Sequence, residues 1–136
     1  MDVRQKRALW QSWPSSTGSM YVAVGAPVPT RRQERARAMC LERLVTELHG
    51  YGVTDMMVES RTPSLDARDV TTVIGARHNL PKGSSFRIDH EAGKGEPLFW
   101  AADIVAGAVR AHRQGDSICH AMLTDCLYEI AVPTRL

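Results

Sequence analysis

The stretch from Glu96 to Arg113, EPLFWAADIVAGAVRAHR, constrains this chain more than any other. Pro97 stands where a first helical turn tolerates a missing N–H. Gly115 follows the last basic residues, at the place where helices commonly stop in a left-handed residue. Between them Leu98, Ala101, Ala102, Val105, Ala108 and Val109 share one helical face. Trp100 and Ile104 widen that face, which predicts a helix buried on more than one side. Ala101, Ala102, Ala106, Gly107 and Ala108 are small enough to let a sheet or a second helix approach closely. Asp103 interrupts this pattern. A charge on such a helix is costly unless it is paired or binds a cation, so Asp103 is read as a functional carboxylate.

A helix of this kind needs layers to pack against, and the preceding sequence supplies them. Residues Met20 to Val28, MYVAVGAPV, are short, β-branched and apolar, and Pro27 and Pro29 end the run as a strand. Thr30 and Gln33 match a capping box, and Ala36, Cys40, Leu41, Leu44, Val45 and Leu48 follow at helical spacing up to Gly50. Thr54 to Glu59, TDMMVE, reads as a second strand, suited to a covered parallel sheet. Ser64 or Asp66 then caps a helix running to about Asn79, with Val70, Val73 and Ile74 inward. A third strand, SFRIDH from Ser85 to His90, alternates Phe86 and Ile88 against Arg87 and Asp89. A short helical piece near Ile118 to Asp125 and a last strand from Leu127 to Val132 complete the chain. Strand, helix, strand, helix, strand, helix in this order predicts an α/β layered domain with mainly parallel strands.

Residues 1–19 stand apart from this alternation. Arg4, Lys6 and Arg7 precede Trp10 and Trp13, and PSSTGS follows, which reads as a short helix or a linker before a single domain over 20–136. The two tryptophans serve either packing and self-association or base stacking. The chain has 136 residues, one domain's worth, and enough to bury a core without disulfides. Cys40, Cys119 and Cys126 are odd in number and lack a redox or zinc spacing, so they read as free thiols of a cytoplasmic protein. No apolar run reaches the roughly 18 residues of a membrane span, and MDVRQKRALWQSWP is a poor signal peptide.

The net charge of +2 does not by itself demand a polyanion, but its distribution is uneven. Arg31, Arg32, Arg35 and Arg37 crowd the first turns of the first long helix, where they oppose the helix dipole. Such placement suits phosphate contact, against the plainer reading of a solvated, internally paired face. Carboxylates collect where parallel strands end, the usual place for ligands in open α/β sheets. Glu59 ends the second strand, and Asp66 and Asp69 open the next helix on one side. His90 and Glu91 end the third strand. Glu59, Asp66 and Asp103 are the candidate ligands for Mg²⁺ or Mn²⁺, which prefer oxygen. Glu59, Asp69 and Asp103 are the candidate catalytic residues for two-metal phosphodiester hydrolysis. No serine or cysteine nucleophile pattern accompanies the scattered histidines.

Three pieces, PTRRQERARAMCLERLVTEL, VESRTPSLDARD and EPLFWAADIVAGAV, resemble an uncharacterised bacterial family with an RNase H-like fold, domain of unknown function three-thousand-eight-hundred. The likeness spans about residues 20 to 113. It implies a three-layer α/β domain and a metal-dependent nuclease-like site. Glu59 would be the carboxylate after the middle strand, assisted by Asp66 or Asp69, and Asp103 the one in the last helix. Members open with a strand carrying Asp-Glu-Ser, and no such motif precedes Tyr21 here. The expected form is therefore a reduced, RNase H-like domain with a weakened or lost metal site, whose open sheet edge favours a homo-oligomer. The alternative is a non-catalytic, dimeric or nucleic-acid-binding module built on Arg31, Arg32 and Arg35.

Overall fold

The computed structural model describes residues 4–10, 20–93, 97–116 and 127–136. Two parallel strand pairs and three long helices make a mixed α/β architecture, in line with the alternation of the sequence. The elements are β1 (Arg4–Trp10), β2 (Met20–Ala26), α1 (Gln33–Gly50), β3 (Asp55–Glu59), α2 (Pro63–Arg77), β4 (Arg87–Glu91), α3 (Pro97–Arg113) and β5 (Leu127–Pro133). One sheet has the order β1-β2-β5, and β3 pairs with β4 in a second. Residues Arg4–Trp10, read from sequence as helix or linker, form a strand antiparallel to β2. Trp13 and the piece around Ile118 to Asp125, with Cys119 and Cys126, lie outside the described residues.

β2 is the centre of the first sheet, and its two faces are both buried. Tyr21 and Ala23 point into a core formed by Cys40, Leu41, Leu44, Val45 and Leu48 of α1. Val22 and Val24 point the other way, onto Ala102, Val105, Ala106 and Val109 of α3. The period of two in the strand thus meets two helical stripes, and three layers result. Gly25 permits the close approach of α1: a Cβ there would lie 3.0 Å from the Cys40 sulfur. Each fully buried leucine or valine contributes about 1.5–3 kcal/mol over its exposed form.

β3 and β4 extend the α1 side of this core. Met56 and Val58 are buried with Val73 and Ala76 of α2 and with Phe86, which is wholly enclosed just before β4. The opposite face of β3 differs from expectation. Asp55 is exposed and Met57 is 47% exposed, so this short sheet is covered on one face rather than both.

Helix boundaries follow local chemistry closely. α2 begins after Thr62, whose hydroxyl oxygen accepts from the Leu65 N–H at 3.3 Å, with Pro63 in the first turn. Thr62 therefore performs the capping expected of Ser64 or Asp66. Thr30 opens a single 3-10 turn instead of capping α1, whose first residues have no side-chain cap. α1 ends through Gly52, left-handed at φ 91°, and α3 through Gly115 at φ 102°. Thr134, just past β5, donates its hydroxyl to the Pro27 carbonyl and ties the chain's end to the end of β2.

Candidate functional site

The carboxyl ends of β3 and β4 and the start of α2 bring one charged cluster together. The chain turns after Glu59 through Ser60 and Arg61, and this turn is fastened to Asp66 in the first turn of α2. Ser60 Oγ donates to Asp66 Oδ2 at 2.6 Å, and the Arg61 N–H donates to Oδ1 at 2.8 Å. These two bonds, the serine hydroxyl foremost, hold the Asp66 carboxyl below its ordinary range.

Asp69 sits one helical turn on, at 3% exposure. Arg37, from α1, grips it with both ends of one guanidinium edge: Nε to Oδ1 at 3.1 Å and Nη2 to Oδ2 at 2.8 Å. Arg61 Nη2 adds a third bond to Oδ1 at 3.1 Å, while its Nη1 pairs with Glu34 at 2.5 Å. His90 Nε2, from the inward face of β4, lies 3.3 Å from Asp69 Oδ2 and 3.7 Å from Asp66 Oδ1. Burial by itself pushes the Asp69 carboxyl up. The bonds and charge of Arg37, the contact with His90 and the charge of Arg61 outweigh that, and its pKa is lowered. A bidentate, charge-assisted pair joins α1 to α2, the strongest geometry available to these side chains, and His90 brings β4 to the same carboxylate.

Asp66, Asp69 and His90 each offer a ligand atom within 4.8 Å of the other two, the one grouping of three or more such residues among the described ones. Its composition, two carboxylates and an imidazole, suits a divalent ion. The same oxygens also take part in the protein's own hydrogen bonds. Both oxygens of Asp66 and both of Asp69 already accept bonds from protein donors. A cation would also meet the guanidinium charges of Arg37 and Arg61 on the same carboxylate. A metal held by these three residues would share Asp69 with the two guanidiniums.

The residues singled out from sequence are thus divided. Asp66 and Asp69 converge, and His90 joins them. Glu59 lies at the end of β3, partly buried, and a Cβ at Gly93 would collide with its carboxylate. It is no member of the three-residue cluster. Asp103 is exposed, and its neighbour Ile104 is 68% exposed. Among the α3 residues whose burial is described, the buried ones are Phe99, Ala102, Val105, Ala106, Ala108 and Val109. The inference of a charge trapped among apolar neighbours is therefore corrected: Asp103 stands on the solvent side. Sequence reasoning missed Arg61, and it placed Arg37 among the α1 arginines without linking it to Asp69. The signal for Arg37 was its place beside Ala36, Cys40 and Leu44, one turn before the buried stripe of α1.

Arg31, Arg32 and Arg35 are exposed at the entry to α1. Between α1 and α2 lies a cavity of about 340 Å³ lined by Glu34, Arg35, Arg37, Arg68, Asp69 and Thr72, among others. Among the described residues, no helix is long and apolar enough to cross a membrane. No family model matches this chain, and no match to it was found among curated proteins or solved structures.

Proposed function

We propose that this protein is a nucleic-acid-binding module that uses exposed arginines and performs no metal-dependent hydrolysis of its own. The observation that carries this reading is the contrast between two sets of charges. Arg31, Arg32 and Arg35 are exposed at the entry to α1 and Arg68 on α2, whereas the Asp66 and Asp69 carboxylates accept bonds from protein donors. Exposed guanidiniums bind phosphate oxygens well, in a forked and strongly charged geometry. A carboxylate paired with two guanidiniums, as Asp69 is, makes a poor ligand for the ions that a two-metal nuclease needs.

The likeness to RNase H-like nucleases fits this proposal as a case of a lost metal site. Arg37 and Arg61 supply the positive charge that a divalent ion would otherwise bring to Asp69. Self-association is part of the proposal, since Met57 and Ile104 are large apolar side chains left exposed; solution mass by light scattering tests it.

The test of function is binding of single-stranded and duplex oligonucleotides across a salt series, with and without Mn²⁺. The expected result is affinity that falls with salt, reduced in the Arg31→Ala/Arg32→Ala variant, and no cleavage product with Mn²⁺. Cleavage that needs Mn²⁺ and disappears in Asp66→Asn would replace this reading with the hydrolytic one.

A further inference from the structure

The cavity between α1 and α2 has a floor, two rims and an unusual charge balance. Its floor is Arg37, which is 8% exposed and held rigid by Asp69. Arg37 uses Nε and Nη2 in that pair. Its Nη1 makes no hydrogen bond to another described residue. The two carboxylates in the wall are both neutralised: Asp69 by Arg37 and Arg61, and Glu34 by Arg61. What remains uncompensated is positive. Arg35 on one rim and Arg68 on the other are exposed and make no ion pair among the described residues.

From these features we infer that the cleft seats the phosphate group of a nucleotide-sized ligand. Arg35 and Arg68 close on the phosphate from opposite helices, and Arg37 Nη1 donates from below. The volume of about 340 Å³ falls at the small end of ordinary ligand pockets, room for one nucleotide rather than a large cofactor. Thr71 and Thr72 donate their hydroxyls to the backbone carbonyls of Ala67 and Arg68, so the arginines dominate recognition and an anion is favoured over a neutral sugar. This inference deepens the proposed function by locating one phosphate contact, and it rests on that reading only for the source of the phosphate.

The experiment is calorimetric titration of the full chain with adenosine monophosphate, inorganic phosphate and adenosine, followed by oligonucleotides with and without a 5′-phosphate. Both phosphate probes should bind and adenosine should not. Arg35→Ala and Arg68→Ala should each weaken binding about tenfold, while Arg43→Ala, a charge loss elsewhere on α1, should not. Both arginines are exposed, so circular dichroism and melting of the variants should match the parent protein. Absence of binding by phosphate and nucleotide up to about 10 mM overturns the inference. So does equal binding by the parent and a folded Arg35→Ala/Arg68→Ala double variant. Oligonucleotide binding that depends on Arg31 and Arg32 but ignores Arg35 and Arg68 removes the cleft and keeps the proposed function. Nucleotide binding without any oligonucleotide binding does the reverse. A preference for 5′-phosphorylated strands identifies a strand end as the source of the phosphate, and indifference to it points to free nucleotide or an internal phosphodiester.

Discussion

On one face of β2, Val22 and Val24 meet small side chains of α3; on the other, Tyr21 and Ala23 meet the leucines of α1. The α3 contact holds no buried charge among the described residues, and Asp103 turns outward. The α1 side carries the buried pair of Arg37 and Asp69 where α1 meets α2. The difference lies in what each helix packs against. A sheet face already has its backbone groups paired within the ladder, so a helix lying on it needs only apolar surface. A helix–helix seam at the ends of parallel strands has room for long side chains that reach across from both sides, and there a bidentate pair can form. Among the described residues, buried charge thus lies in the seam between helices, next to the cleft that Arg35 and Arg68 line.

Breaking the seam should have the largest effect. Asp69→Ala leaves the Arg37 guanidinium buried without its partner and should cost about 3–5 kcal/mol of stability in chemical denaturation. A loss below about 1 kcal/mol would mean that the pair is solvated in solution. The same pair sets an acid limit. The folded Asp69 pKa is lowered from the ordinary carboxylate value. Its contribution is therefore full above the unfolded pKa, about 3.9, and is lost as pH falls through the lower folded value. Melting followed from pH 7 downward should show a steep drop below about pH 4, less pronounced in Asp69→Leu, which has no carboxylate to titrate.

The apolar side of the comparison is probed by Leu44→Ala. Leu44 is 1% exposed in the α1 core, and the substitution should cost about 2–5 kcal/mol, with a cavity left behind. A cost well under that range would show that α1 is held mainly by its polar seam. Thr62→Ala removes the hydroxyl that caps α2, and about 1 kcal/mol should follow. Because this cap lies beside the Ser60–Asp66 bond, a larger loss would show that cap and cluster form one cooperative unit. The smallest effect belongs to Asp103→Ala, which should stay within about 0.5 kcal/mol, as for an exposed site with no special partner. A loss above about 2 kcal/mol would restore Asp103 as a buried, paired charge.

The alternation of strands and helices was legible from residue 20 onward, because each element announces itself locally. β2 is a β-branched run between polar and proline-rich segments, and α1, α2 and α3 show helical spacing ended by residues suited to a stop. The strand Arg4–Trp10 was not legible, since RQKRALW carries no period-two pattern and owes its form to pairing with β2. In the site, Asp66 and Asp69 could be placed from their spacing at the head of α2. Arg37 and Arg61 could not be assigned to them, because α1, the turn after β3, and α2 meet only in three dimensions, 32 residues separating Arg37 from Asp69.

Asp103 marks the boundary between the two kinds of information. Its sequence neighbours are apolar, but a helix projects adjacent residues about 100° apart, so composition around a residue does not say which way it faces. Sequence alone determined, for the described residues from 20 onward, which segments are helix and which are strand, and where α2, α1 and α3 start or stop to within a few residues. The tertiary structure decided which charges are buried, which carboxylates are already satisfied and which arginines are left free to bind. Those outcomes depend on the side chains that arrive from other elements, and distances between elements are set by packing rather than by any local pattern.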